Sequence, residues 1–182
     1  WNSKHDIYAS IANYLNKKGW ERNQSIYTDI IIKKKYIKEI FKSGDVKTIA
    51  IDENKLPTGR VKSVAGSKLD FRAEKKLLDH NGSISLIDTN FCFSNDRTKI
   101  RDIAEFETSK CKMVLSTTEP GLQVYTGSSL KPPLQPFQGI ALEPQFWPDS
   151  PNNPGFPDAF LRSGEKYKQI TEYSFTNTDG CN

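Results

Sequence analysis

A proline-dense stretch near the carboxyl end constrains the fold of this chain more than any other segment. It opens with a short apolar run, Ile140–Leu142, and places one carboxylate, Glu143, at the end of that run. Prolines then stand at positions 144, 148, 151, 154 and 157. Each proline fixes φ and removes a backbone donor, so this stretch cannot form a helix or a central strand. The pattern predicts a strand followed by a rigid loop, which is a favourable place to hold a catalytic group.

The chain from about residue 46 onward predicts a mainly β structure. Short apolar or alternating runs that are bounded by turn residues are typical of strands. The predicted strands are Lys47–Asp52, one or two within 83–94, Lys112–Thr118, Leu122–Gly127 and a last one within Glu165–Phe175. Residues 52–72 begin with a cluster of Asp, Asn, Pro and Gly, and they predict a turn-rich loop.

The first 44 residues predict helix instead. Ser3 and Asp6 resemble a capping box, and apolar residues from Ile7 to Leu15 fall on one face at helical spacing. The following segment, Ile26–Phe41, is either a helix or a strand followed by a helix. We therefore expect a helical appendage over residues 1–44 and a β-rich portion over residues 45–182.

Charge and composition argue against several classes of partner. The 182 residues carry 26 Lys+Arg against 22 Asp+Glu, and the lysine triplet at 33–35 is more typical of a solvated helix end than of a nucleic-acid site. No apolar run approaches the length that spans a bilayer, so we expect no membrane partner.

Three widely spaced cysteines without a CxxC pair predict neither a zinc site nor a disulfide framework, and they favour a reducing, cytoplasmic compartment. We expect no metal and no cofactor. The chain opens on Trp1 rather than Met, which predicts a fragment or a processed product.

Three segments carry a family resemblance. They read DENKLPTG with VAGSKLDFR within 52–72, TTEPGLQVYTG at 117–127 and GIALEPQFWPDSPNNPGFPDAFLRSGEKY at 139–167. Their order and spacing resemble the aldose 1-epimerases, or galactose mutarotases, over about residues 46–175. The match corresponds to the C-terminal half of a full-length epimerase. The resemblance implies an antiparallel β-sandwich of the galactose-mutarotase type, and an isomerase that interconverts the α and β anomers of a free hexose without a cofactor.

The resemblance also implies roles for single residues. The family's general base is a glutamate in the strand before the proline loop, and the matching residue is Glu143. Asp88 matches an aspartate that binds sugar hydroxyls, although the histidine that follows it in the family is Thr89 here. Asp79, within an Asp-His-Asn triplet, is a rival match that lacks the Phe expected next.

The segment that resembles the epimerases contains no residue that matches the general acid of the family. Mutarotation needs a base at the C1 hydroxyl and an acid at the ring oxygen, and histidine suits the acid role. The resemblance implies two histidines from the N-terminal half of an epimerase. This chain has only His5 and His80, and neither matches the family motif. We expect a truncated and impaired epimerase, or one that receives the missing half from a second chain.

The first 30 residues carry a second resemblance. Trp1-Asn2-Ser3, then ASIANYL at 9–15 and Gly19-Trp20, resemble part of the lytic murein transglycosylase B family. The catalytic glutamate of that family lies upstream of this motif, so no residue here is expected to be catalytic. Three other interpretations stay open beside an epimerase: a carbohydrate-binding module without turnover, a peptidoglycan-associated protein, and the product of a rearranged gene without function.

Overall fold

The computed structural model describes residues 45–73, 75–77, 83–107 and 111–177. The predicted helical appendage, 1–44, lies outside these ranges, and so do His80 and Asp79. Within them the chain consists of β-strands, irregular segments and one short 3-10 helix, Ser150–Asn152. No helix in the described part is long and apolar enough to cross a membrane. The prediction of a mainly β structure is confirmed for these residues.

Eight strands in the described ranges form two antiparallel sheets. They are β1 (Lys47–Ile51), β2 (Pro57–Ser63), β3 (Asp88–Cys92), β4 (Arg101–Glu107), β5 (Cys111–Thr117), β6 (Gly121–Tyr125), β7 (Ala141–Gln145) and β8 (Thr171–Asn177). The first sheet has the strand order β2-β1-β3-β6-β7, and the second has the order β4-β5-β8. β3 and β6 are neighbours in the sheet although two strands separate them in sequence. Their register is therefore set by tertiary packing and not by a tight turn.

Alternate side chains of the strands pack into one core between the two sheets. Phe91, Leu122 and Val124 of the first sheet are buried, as are Ile103 and Leu115 of the second. All of them belong to a single cluster of buried apolar side chains. Removing such a side chain from water contributes about 1.5–3 kcal/mol to folding. Because both sheets contribute to the cluster, the described residues form a β-sandwich.

The proline loop after β7 folds back over the outer face of the first sheet, the face opposite the shared core. Trp147 packs on Phe156 with ring centroids 5.2 Å apart, and both rings cluster with Ile49 and Cys92. A Cβ at Gly121 would lie only 3.0 Å from Cδ1 of Trp147. The loop is therefore anchored to the sheet by a small apolar cluster of its own.

The same loop continues to the far edge of the first sheet. Asn153 Nδ2 donates to the backbone oxygen of Asp149 at 2.8 Å and to its Oδ2 at 2.9 Å. On the other side, Asn153 Oδ1 lies against Gly59 in β2, where a Cβ would be 2.5 Å away. The loop thus spans from β7 to β2, the two edge strands of this sheet.

Four strand predictions are confirmed and others need correction. β1, β5 and β6 coincide with the strands predicted at 47–52, 112–118 and 122–127, and β3 lies within the predicted range 83–94. The turn-rich loop predicted over 52–72 is wrong at Pro57–Ser63, which forms β2. Six of its seven residues are exposed, so this edge strand has no apolar alternation to reveal it. The strand expected within 165–175 begins only at Thr171.

The prediction that Glu143 ends its strand is also wrong. β7 continues through Pro144 to Gln145, so Glu143 lies in its middle. A proline is tolerated there because β7 pairs only with β6 among the described strands. The backbone of Pro144 turns its carbonyl away from β6, so the missing N–H breaks no hydrogen bond of the sheet.

Candidate functional site

Polar side chains from three neighbouring strands lie together on the outer face of the first sheet. Asn90 in β3 pairs with Gln123 in β6, and Gln123 pairs with Glu143 in β7. Cross-strand partners share a face, and Asp88 shares it too because it lies two residues before Asn90. We call Asp88, Gln123 and Glu143 the polar row.

A hydrogen bond joins two members of the polar row. Gln123 Nε2 donates to Asp88 Oδ1 at 2.9 Å. The Asp88 side chain is 46% exposed, and Glu143 is exposed as well. The row therefore offers two carboxylates and one amide to a molecule that docks on this face.

A lysine on the turn between β1 and β2 borders the row. Lys55 Nζ lies 3.9 Å from Asp88 Oδ2. The turn is fixed by Asp52, whose Oδ1 accepts from the N–H of Asn54 at 2.8 Å and of Leu56 at 2.9 Å. Lys55 itself has a left-handed backbone with φ of 64°. The segment DENKLPTG thus forms a rigid turn that holds a cation beside Asp88.

A tyrosine lies directly across from Asp88. Tyr125 pairs with Asp88 in the ladder between β3 and β6. Its hydroxyl oxygen accepts from the N–H of Ser129 at 2.6 Å and shares a hydrogen bond with the Ser129 hydroxyl. The Ser129 and Ser128 hydroxyls, followed by the Ser129 N–H, lower the pKa of Tyr125 below its ordinary value. Tyr125 therefore adds a polar hydroxyl at this end of the row.

A buried amide borders the row on the same face. Asn90 is 5% exposed, and its Oδ1 accepts weakly from the Cys92 thiol at 3.8 Å. Its Nδ2 has no hydrogen-bond partner within the described ranges. Asn90 thus marks the border between the open polar row and the part of the face that the Trp147 cluster covers.

The aromatic residues after Glu143 serve the structure of the loop. Trp147 is buried against Gly121, and its Nε1 donates to Pro120 O at 3.3 Å. The Phe146 ring stacks on the Arg97 guanidinium, 4.5 Å from Cζ to the ring centroid. These contacts explain the direction of both rings. They also leave the polar row uncovered by either ring.

The chemistry of the row suits a ligand rich in hydroxyl groups. Carboxylates accept hydrogen bonds from hydroxyls, and an amide both donates and accepts. Within the ranges given above, no group of three or more His, Cys, Asp or Glu side chains could hold a metal ion. The described residues also contain no histidine, because His5 and His80 lie outside them. The row can thus bind hydroxyls and supply a carboxylate base.

The structure brings the two predicted site residues onto one face. Asp88 and Glu143 lie on β3 and β7, with β6 between them, and their functional roles stay predictions. Sequence reasoning missed Gln123, which connects them. The sequence pattern that could have indicated Gln123 is in TTEPGLQVYTG, where apolar Leu122 and Val124 stand on either side of it. Strand alternation sends Gln123 to the face opposite those two core residues.

A comparison with known families identifies the family of this chain. Residues 33–174 match the family model described as aldose 1-epimerase. The chain belongs to the aldose 1-epimerase family. The match begins within the segment 1–44, ahead of the residue 46 that the motifs indicated.

Curated relatives carry the same family name. The chain is 35% identical over 144 residues to aldose 1-epimerase from Escherichia coli K12, which covers 70% of this chain and 42% of the relative. It is 35% identical over 140 residues to galactose mutarotase from Mus musculus, covering 70% of this chain and 41% of that protein. The chain therefore spans less than half the length of these epimerases.

Solved structures share the fold. An aldose epimerase homologue from C. elegans superposes with a TM-score of 0.65 at 23% identity, covering 80% of this chain and 47% of that chain. A galactose 1-epimerase from Lactobacillus acidophilus NCFM gives a TM-score of 0.56 at 18% identity, covering 79% of this chain and 45% of that chain. At these identities the likeness is one of fold, and it confirms the galactose-mutarotase type of β-structure.

Proposed function

We propose that this epimerase-family chain carries the base side of a site that interconverts the α and β anomers of a free hexose. The polar row is the observation that carries the proposal. Glu143 stands opposite Gln123, and Gln123 is hydrogen-bonded to Asp88. A base and two hydroxyl-binding groups thus lie on one open face, within reach of one sugar ring.

Each member of the row has a distinct task in this reaction. Glu143 removes the proton from the C1 hydroxyl, the ring opens, and the C1–C2 bond rotates before the ring closes with the roles reversed. Asp88 accepts hydrogen bonds from sugar hydroxyls and anchors the ring. Gln123 holds Asp88 in place and offers its amide oxygen to another hydroxyl.

We propose that the acid that protonates the ring oxygen comes from beyond the described residues, because the family resemblance implies a histidine in this role and the described residues contain none. The matched relatives are more than twice as long as the aligned part of this chain. We propose that a further polypeptide, equivalent to the unmatched part of an epimerase, completes the site. That polypeptide is a second chain or a segment of a longer product.

Exposed apolar side chains and an open strand edge support this partner. Five large side chains near the end of the described part are each at least 43% exposed: Phe160, Leu161, Tyr167, Tyr173 and Phe175. In addition, β8 pairs only with β5 among the described strands, so one edge of the second sheet is open. An open strand edge offers unpaired backbone groups to another chain, and large apolar side chains are often covered where two proteins meet. The remainder of an epimerase sandwich would cover both.

A sugar-binding module without turnover is the second candidate. The described residues favour it because they contain groups that bind hydroxyls and no histidine that could act as an acid. The expected resemblance of residues 1–30 to the transglycosylases lies outside the described residues, and the family and relatives reported above lend it no support. A role at peptidoglycan therefore has no support. The cytoplasmic location inferred from the cysteines remains part of the proposal.

Polarimetry of freshly dissolved α-D-glucose and α-D-galactose tests the function. One arm uses the chain alone, and the other adds the part of the Escherichia coli enzyme that the chain does not match. Acceleration in either arm supports the epimerase, and acceleration only in the second supports the completing polypeptide. A sugar-dependent rise in melting temperature without acceleration in either arm would leave the binding module.

A further inference from the structure

β7, which contains Glu143, has backbone groups that the first sheet does not satisfy. It pairs with β6 on one side only, among the described strands. The carbonyls of Leu142 and Pro144 point to the other side, where they accept hydrogen bonds from side chains. These two carbonyls flank Glu143 directly in sequence.

The two donors lie in β8 and in the segment that leads into it. Tyr173 Oη in β8 donates to Leu142 O at 3.2 Å. Gln169 Nε2, two residues before β8, donates to Pro144 O at 3.0 Å. One of these two side chains thus holds the backbone on each side of Glu143.

A chain of contacts fixes the Gln169 amide in turn. Tyr167 Oη donates to Gln169 Oε1 at 2.8 Å, which directs Nε2 toward β7. The Tyr167 ring lies on the Arg97 guanidinium at 4.0 Å from Cζ to the ring centroid. Arg97 Nε donates to Oε1 of the buried Glu119 at 2.7 Å. The Gln169 side chain is therefore linked, through Tyr167 and Arg97, to the buried carboxylate of Glu119.

We propose that Gln169 and Tyr173 are positioning residues for Glu143 and fix the backbone from which the catalytic carboxylate projects. The inference rests on the proposed function. Neither side chain is bonded to the polar row itself, so sugar binding by Asp88 and Gln123 should be independent of them. A carboxylate that acts as a base must be held close to its productive position, because a displacement of about 1 Å costs on the order of 10²-fold in rate.

The test compares Gln169→Leu, Tyr173→Phe and the double variant with wild type. Glu172→Gln is the control, since Glu172 lies between them and its described contact is with Ser174. In mutarotation assays we expect kcat to fall about 10-fold in each single variant and about 10²-fold in the double, with KM within about twofold of wild type. Unchanged kcat in the double variant, or a rise in KM that accounts for the whole loss, would overturn the proposal.

A second readout does not depend on turnover. The carboxyl ¹³C resonance of Glu143 should be sharp in wild type and in the control, and broadened or doubled in the double variant. An unchanged resonance would contradict a positioning role, even if the wild type proved inactive in both polarimetry arms. Inactivity of the wild type would instead count against the proposed function, so the two failures are distinguishable.

Discussion

Arg97 donates its Nε–H to Oε1 of Glu119 at 2.7 Å, and the Glu119 carboxylate is fully buried. The Arg97 side chain is 25% exposed, and its guanidinium lies against the rings of Phe146 and Tyr167. The pair therefore joins the proline loop, the segment before β8 and the turn before β6. Its removal should affect both stability and the surroundings of Glu143.

Arg97→Ala should destabilise the fold strongly because it leaves a buried carboxylate without its counterion. We expect a loss of about 3–5 kcal/mol in the free energy of unfolding, measured by urea denaturation. Arg162→Ala is the matched control, since its ion pair with Asp158 is mostly exposed and should contribute much less to stability. Equal losses of unfolding free energy in the two variants would show that the burial of Glu119 does not determine how much the Arg97–Glu119 pair stabilises the fold.

Gly59→Ala should cost more than Gly66→Ala, although both glycines have left-handed backbones with φ of 74° and 71°. Both substitutions place a Cβ on a left-handed backbone, which adds strain of about 1–2 kcal/mol. Only at Gly59 would the new Cβ also meet Asn153 Oδ1, at 2.5 Å, whereas nothing lies within 4 Å at Gly66. We expect an additional loss at Gly59 that Asn153→Ala partly restores in a double-mutant cycle. Equal melting temperatures for the two glycine variants would argue against contact between the proline loop and β2.

Cys92 should resist thiol reagents until the protein unfolds. Burial raises the pKa of its thiol to about 12, and the residue is 2% exposed. The thiol pKa is higher in the native protein than in the unfolded chain, so ionisation of the thiol favours unfolding. The contribution of the protonated Cys92 thiol to stability is therefore complete at pH values below the thiol pKa of the unfolded chain. It is lost as pH rises toward about 12. In a Cys111→Ser, Cys181→Ser background, iodoacetamide at pH 8 should label Cys92 only as fast as the chain unfolds. Rapid labelling under native conditions would contradict this burial.

Local patterns predicted the core strands of this fold but not its edges. In β6 the apolar pair Leu122 and Val124 alternates with polar residues, and this signal survives because one face is buried. β2 lacks that signal because nearly all of it is exposed. Pro144 suggested the end of a strand, whereas an edge strand accepts a proline whose backbone faces away from its partner.

Single residues of the candidate site could be predicted from the sequence, but the strand order that brings them together could not. The family motifs indicated Glu143 and Asp88 separately, and no local pattern states that β6 lies between their strands. That order brings Gln123 next to both and makes it part of the row. The same reasoning applies to Gln169, whose contact with Pro144 O depends on how the two sheets pack.

The mutarotation rate of Glu143→Gln, beside wild type and Glu165→Gln, tests the central claim most directly. The assay uses α-D-galactose in whichever polarimetry arm gives acceleration by wild type. We expect the catalysed rate to fall by about 10² or more in Glu143→Gln, because an amide cannot take the proton, and to stay unchanged in the control. A catalysed rate in folded Glu143→Gln within about twofold of wild type would contradict the assignment of the base and of the polar row as the reaction site.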